Sequence, residues 1–352
     1  VDKVDLMFTL MNEVLVGANF NNRERLTEII HRNKEAGKSM LLSSGHSIAG
    51  SRLTSKLTKI GSISEQMGGL TAYDYMNNID IDSDAGWKVC NDNLESIRTK
   101  IVQNENVIIN ITSDKIGIHA AESSIAQFMN RLPSKDVSEN GKSVATLGNY
   151  QWSPLKETHQ NEGYVVASQV NYVVQGGLLN LENEISLGAA SVVSRYLRNT
   201  WLWDEVRVKG GAYGGFCSFD SISNVFQYGS YRDPNLQNTI DAYGKSPEFL
   251  QNVLLDENEV TKGIVGAVSD MDTPRTPATR GYTDMLRHLV GENDANRQQY
   301  RDEVLSTTKN DFRLFGEKLQ IFHDDVNKDL KVVVVGSSGS LDEMKGKKKL
   351  FY

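Results

Sequence analysis

The sequence predicts an α+β fold in two related domains, the first lacking its opening strands, and three observations carry that expectation. The chain has 352 residues, enough for about two domains with a sizeable core each. Long stretches with apolar residues at helical spacing outnumber a few short runs rich in Val, Ile and Tyr. The two parts also end alike, with helices, a short charged loop, an apolar strand (106–112 and 330–335), a Ser-rich turn and a helix, a weak internal repeat offset by roughly 220 residues.

Residues 4–15 place Met7, Leu10, Met11, Val14 and Leu15 at helical spacing, and Asn21 or Asn22 caps a second helix with Leu26, Ile29 and Ile30 that ends near Leu42. After Ser43-Ser44-Gly45 a third helical pattern carries Ile48, Leu53 and Leu57, and Gly68-Gly69 breaks the chain before residues 73–77. Residues 87–102 form another helix through Leu94, Ile97 and Ile101. Residues 106–112, with Val107, Ile108, Ile109 and Ile111, read as the first strand, and a helix with Ile118, Ile125, Phe128 and Met129 follows. A lone strand needs neighbours for its backbone groups, so residues 1–132 are read as a domain whose first strands are missing. Residues 133–162 are polar, hold Pro133, Pro154, Gly141 and Gly148, and are assigned as a linker.

The second domain, residues 163–352, opens with a strand or pair of strands at 164–174. A helix with Ala189, Val193, Leu197 and Trp201 on one face then runs to Arg207, followed by a glycine-rich strand at 212–219 and its partner at 224–231. Arg232-Asp233-Pro234-Asn235 turns the chain into a helix at 236–243. Further helices cover 260–268, 282–290, 297–305 and 312–322, the last with Thr308 and Asp311 in capping-box spacing. A fully apolar strand, 332–335, closes the domain, and the basic tail 345–352 is expected to fray.

Net charge is −7, which argues against a nucleic-acid surface and mildly favours basic ligands. No run of about 18 apolar residues predicts a membrane span, and residues 1–15 resemble neither a signal nor a transit peptide. Two cysteines, Cys90 and Cys217, are too few for a disulfide framework and fit a reducing compartment.

The stretch Arg-Val-Lys-Gly-Gly-Ala-Tyr-Gly-Gly, residues 207–215, is the candidate site. Arg207 and Lys209 end a helix where its dipole favours cations, and Gly210 and Gly211 supply a left-handed cap. Four glycines within six residues leave the following strand bare enough for another extended chain to approach. Arg207 and Tyr213 are candidate catalytic donors to a peptide carbonyl, where a guanidinium and a phenol would stabilise the charge that develops during amide attack. Gly210, Gly211, Ala212 and Gly214 are the candidate substrate-binding positions. A tight structural hairpin with a core tyrosine and a surface arginine is the competing reading.

Other motifs fail on detail. His159 to Glu162 spells His-x-x-Glu, but Gly163 stands where a second histidine would complete an inverted zinc signature, so no metal ligands are assigned to this chain. The glycines at 45 and 50 have phosphate-loop spacing without its Lys and hydroxyl residue. Gly45-His46-Ser47 lacks the closing glycine of a nucleophile elbow. Asp80, Asp82 and Asp84 alternate like calcium ligands without the required glycine.

Residues 199–219 resemble the C-terminal half of the presequence protease and falcilysin family, inverzincin relatives of pitrilysin and insulinase. The likeness extends to Ser44-Gly45-His46, to residues 64–70, to residues 230–235 and to Leu286-Arg287-His288-Leu289. The resemblance implies a clamshell of related α+β domains, each a mixed or antiparallel sheet packed by helices, with this chain covering most of the third peptidase domain and all of the fourth. It implies a zinc metalloendopeptidase degrading unfolded, presequence-like or other short peptides. Zinc and its ligands would sit in an absent N-terminal half, the chain's expected partner, and Arg207 and Tyr213 would hold the substrate backbone. It further implies a monomer at full length, in a mitochondrial or plastid matrix or otherwise the cytoplasm, with neither nucleic acid nor membrane as partner. A non-catalytic peptide-binding or structural subunit of the same fold is the alternative.

Overall fold

A computed structural model describes residues 3–134, 161–182, 184–324 and 330–345. Helices α1 (Val4–Gly17), α2 (Arg23–Ser43), α3 (Gly45–Ser55), α4 (Lys59–Gly68), α5 (Leu70–Asn78), α6 (Asp84–Ile101) and α7 (Lys115–Arg131) come first. Strands β1 (Asn161–Val165) and β2 (Tyr172–Leu178) follow, then α8 (Leu187–Leu197), β3 (Gly214–Asp220) and β4 (Val225–Tyr231). Helices α9 (Gln237–Asn252), α10 (Glu257–Met271), α11 (Pro277–Val290), α12 (Asp294–Leu305) and α13 (Lys309–Asp324) lead to β5 (Lys331–Gly336) and α14 (Ser338–Lys345). The architecture is α+β, as expected, but among the described residues there is one mixed sheet, formed wholly by residues 161–336, and not one in each domain.

The two compact units interleave in sequence: one comprises Val1–Asn33, Met76–Gln151 and Pro274–Asn293, the other Lys34–Tyr75, Trp152–Thr273 and Asp294–Tyr352, so that one of their boundaries falls within 133–162 and the others lie elsewhere in the chain. Of the expected linker, residues 135–160 lie outside the described residues, as does the tail 346–352. Its last two residues, Asn161 and Glu162, belong to β1, a correction to the linker boundary.

In the first unit Phe8 of α1 packs against Phe128 of α7 with ring centroids 5.2 Å apart, over Leu132. The expected cap of α2 is present, Asn22 Oδ1 accepting from the Arg25 amide at 3.0 Å. The strand expected at 106–112 does not form. A 3-10 turn at Asn104–Asn106 gives way to extended backbone at Val107, but that stretch joins no sheet among the described residues. Val107 and Ile109 pack on the Phe8 cluster and Ile108 is 65% exposed. The alternation is real, yet helices can bury one row of side chains without satisfying an extended backbone. The internal repeat therefore loses its first strand.

In the second unit the strand order is β1-β5-β2-β4-β3, with β1 and β5 parallel and the other neighbours antiparallel. Val332 and Val334 of β5 join the core shared with α8 and α13 through Val193, Leu197, Phe315 and Leu319. Val333 and Val335 join the opposite cluster, where Ala49 and Leu53 of α3 pack on Tyr172 and Val174. A strand buried on both faces reads as an unbroken apolar run, which explains Val332-Val333-Val334-Val335. Gly45 lets α3 come down on the sheet, since a Cβ there would lie 2.3 Å from the Tyr172 ring.

Candidate functional site

The site grows from the end of α8. Ser186 caps that helix by accepting from the Ala189 amide at 3.1 Å, and apolar residues of α8 bury against the sheet. Sequence spacing predicts one uniform helix to Arg207. Instead the winding widens, and Arg198–Lys209 is a π-helical continuation, a conformation that is rare and often marks functional sites. Leu202 and Val206 remain in the core, while Trp203 and Arg207 face solvent. The Arg207 guanidinium lies 3.9 Å from the Trp203 ring centroid, a cation–π contact that holds the long side chain in place.

The two glycines that end this helix do different work. Gly210 stays in the right-handed region at φ −78°, and only Gly211 is left-handed, at φ 80°. The Gly211 amide donates to the Arg207 carbonyl at 2.9 Å, the Ala212 amide to Val206 at 3.1 Å and the Tyr213 amide to Tyr231 at 3.0 Å. Ala212 itself is buried in the core. The backbone amides of 211–213 are thus committed to the fold, and the stretch presents side chains and open surface instead. Tyr213 is 70% exposed, and a Cβ on Gly214 would find only Tyr231 within 4 Å, at 3.9 Å. Gly215 keeps strand and helix together, because a Cβ there would meet the Leu202 carbonyl and Val206 at 2.9 Å.

The turn after β4 is fastened to this loop. Asn235 Nδ2 donates to the Gly210 carbonyl at 2.5 Å. Asn171 and Asp233 exchange backbone hydrogen bonds at 2.7 and 2.8 Å, and the buried Asp233 carboxylate accepts from Thr239 at 2.6 Å and from the Asn235 amide at 2.9 Å. Burial raises the Asp233 pKa, with those hydrogen bonds opposing it. Arg232, held at φ 48°, extends its guanidinium to 5.9 Å from the Tyr213 ring centroid and 5.5 Å from that of Tyr231. Behind Tyr231, His46 packs edge-on at 4.9 Å and meets Phe216 at 5.7 Å. Burial lowers the His46 pKa, and its Nδ1 has no hydrogen-bond partner among the described residues.

Arg207 and Tyr213 therefore stand as solvent-facing side chains on either side of the Gly210-Gly211 cap, at the end of the hairpin where Gly214 pairs with Tyr231. Sequence reasoning overlooked Trp203, although its four-residue spacing from Arg207 on a helix was legible. It also read Arg232 only as part of a turn. Among the described residues no group of three or more His, Cys, Asp or Glu converges as a metal site, so these residues do not fit a zinc ion; His159 lies outside them. Burial pushes the Cys217 thiol up to about 12, which makes it inert. No helix among the described residues is long and apolar enough to cross a membrane.

Comparison with known proteins agrees with this architecture. Residues 161–338 match the family described as PreP C-terminal domain, and residues 1–79 match the domain associated with subfamily C of the M16 peptidases. The chain is 36% identical over 350 residues to a chloroplastic and mitochondrial presequence protease of Arabidopsis thaliana, covering 99% of this chain and 31% of that one. It is 26% identical over 337 residues to a mitochondrial presequence protease of Saccharomyces cerevisiae, covering 92% of this chain and 33% of the relative. The chain thus spans about a third of the length of the curated relatives it matches. Among solved structures, an M16 peptidase inactive domain from Pseudomonas fluorescens superposes with a TM-score of 0.61 at 16% identity, over 96% of this chain and 76% of that one. The periplasmic protease PqqL from Escherichia coli gives a TM-score of 0.51 at 11% identity, over 96% and 35%. With half of its length matched by that family and a shared α+β fold, the chain belongs to the presequence protease branch of the M16 peptidases, as a C-terminal portion.

Proposed function

We propose that this chain is the substrate-gripping C-terminal part of a zinc metalloendopeptidase acting on unfolded, presequence-like or other short peptides, corresponding to its third and fourth peptidase domains. The zinc-bearing N-terminal half is its partner, and no hydrolytic step is assigned to this chain alone. The carrying observation is that Arg207 and Tyr213 are both exposed donors, the guanidinium of the first lying on the Trp203 ring and the backbone of the second fastened to β4. In this reading they donate to a carbonyl at or beside the scissile bond. Gly214 leaves room for the visiting backbone, and Gly210, Gly211 and Ala212 set the loop against which it lies. β3 is last in the strand order, and an extended peptide can add to such an edge. By analogy with the named relatives, described as mitochondrial or chloroplastic, the compartment is an organelle matrix, and we further propose that the full-length enzyme acts as a monomer.

The test combines this chain with a zinc-bearing half and follows peptide cleavage. Tyr213→Phe is expected to lower turnover on the order of 10²-fold while zinc content stays the same. Unaltered turnover would sink the assignment of Tyr213. Peptide binding without any cleavage by the combined halves would instead favour a non-catalytic peptide-binding subunit.

A further inference from the structure

Arg232 has no role in the pair just described, yet it occupies an unusual conformation beside it. A non-glycine residue at φ 48° is uncommon, and such strain persists where its surroundings over-determine it. They do so here: the residue before Arg232 pairs with Gly214, and the residue after it is locked by Asn171, Thr239 and Asn235. The strained backbone directs the guanidinium toward the open end of the hairpin, between the rings of Tyr213 and Tyr231. Burial raises the pKa of the Tyr172 hydroxyl, and a hydrogen bond with Arg232 draws it back down. That hydroxyl is anchored by donating to the Leu42 carbonyl. Arg232 is exposed, and among the described residues no carboxylate pairs with it. An arginine has five donors in a rigid fork matched to carboxylate geometry.

We propose that Arg232, framed by Tyr213 and Tyr231, is an anion subsite that binds a carboxylate of the peptide held by Arg207 and Tyr213. The inference rests on the peptide-gripping reading for the identity of the ligand. The carboxylate is either the peptide's C-terminus or an internal Asp or Glu side chain. In a chain of net charge −7 such a ligand is disfavoured by the overall field, so a local fork is what admits it. The subsite gives the grip a polarity: the carbonyl sits at the Arg207 and Tyr213 donors, and the acidic group lies beyond Tyr213.

The experiment measures binding of short fluorescein-labelled basic peptides to this chain by fluorescence anisotropy. One pair differs only in a free or amidated C-terminus, the other only in an internal Glu or Gln. In the unaltered chain, the acid of one pair is expected to bind about tenfold tighter than its neutral counterpart, and the pair that shows it identifies the source of the carboxylate. Arg232→Gln is expected to bring that ratio to about one, and Arg232→Lys to restore part of it. Arg232→Gly relieves the left-handed backbone, so it is expected to abolish the ratio while the unfolding midpoint holds or rises, which excludes loss of fold as the cause. A ratio of one in the unaltered chain, absence of peptide binding, or an unchanged ratio in Arg232→Gln overturns the subsite. Tyr213→Phe keeps the two ideas apart: it weakens acidic and neutral peptides equally if the grip is right. If it changes nothing while Arg232→Gln removes the ratio, the subsite stands and the grip fails.

Discussion

At the scale of single residues, the site is a matter of how a flexible cation is kept in one place. Arginine loses much rotamer freedom when ordered, and the Trp203 ring 3.9 Å from Arg207 offsets that cost. An exposed cation–π contact is worth about 0.5–1 kcal/mol. Trp203→Leu should therefore weaken peptide binding about two- to fivefold with little change in the unfolding midpoint; unchanged affinity would mean that Arg207 needs no such support. A different logic governs Arg52, Lys56 and Glu162. The Arg52 guanidinium grips Glu162 at 2.7 and 3.1 Å, Lys56 pairs with the same carboxylate, and the Tyr164 hydroxyl donates to it at 2.9 Å. Glu162→Gln removes the charge both cations share, and breaking a buried pair costs about 3–5 kcal/mol. Denaturant unfolding measures that loss, and a loss under about 1 kcal/mol would place the cluster with weak surface pairs.

At the scale of elements, two glycines show why the hairpin and its helix form a unit. Gly211 is left-handed at φ 80°, so Gly211→Ala should cost about 1 kcal/mol or slightly more and disturb Tyr213, two residues on. Gly215→Ala pushes a methyl into the Leu202 carbonyl and Val206, an overpacking expected to cost about 1–3 kcal/mol. Thermal melts of both variants check these values, and a neutral Gly215→Ala would mean that the helix gives way freely. The same elements mark how far the sequence could be read. Helix spacing located α1, α2, α6 and α7, and the apolar run located β5, because side-chain burial is what spacing reports. It could not report that 107–112 lacks backbone partners, since pairing depends on strands far away in the chain. Nor could it show the π winding of Arg198–Lys209, because the widening moves side chains around the helix only slightly per residue. The Arg207 and Tyr213 stretch was visible from composition and resemblance, whereas the strained φ of Arg232 follows from tertiary locking of Asp233 that no local pattern announces.

At the scale of the whole molecule, acid should unfold the chain in two overlapping stages. Burial lowers the His323 pKa to about 4, with Asp324 opposing. A group whose folded pKa is depressed contributes stability above its unfolded value and loses it as pH falls, so this contribution fades between about 6.5 and 4. For Glu162, burial raises the pKa but hydrogen bonds and charge from Arg52 and Lys56 outweigh it and bring it to about 2. Its contribution fades lower, between about 4.5 and 2. Urea midpoints measured from pH 7 to 3 should fall throughout, and His323→Gln should lessen the fall in the upper part, where His46 also contributes; a midpoint constant from pH 7 to 4 would contradict the burial of His323. Family membership sets the frame for the larger proposal, in which one fold supplies donors while another part of the polypeptide supplies the metal. The most direct test is a double-mutant cycle on Arg207→Gln and Tyr213→Phe, read as peptide turnover by this chain combined with a zinc-bearing half. If both donors hold one carbonyl, each single change costs on the order of 10²-fold and the double change little more than either. Two losses that simply multiply, or no loss from Tyr213→Phe, would contradict it.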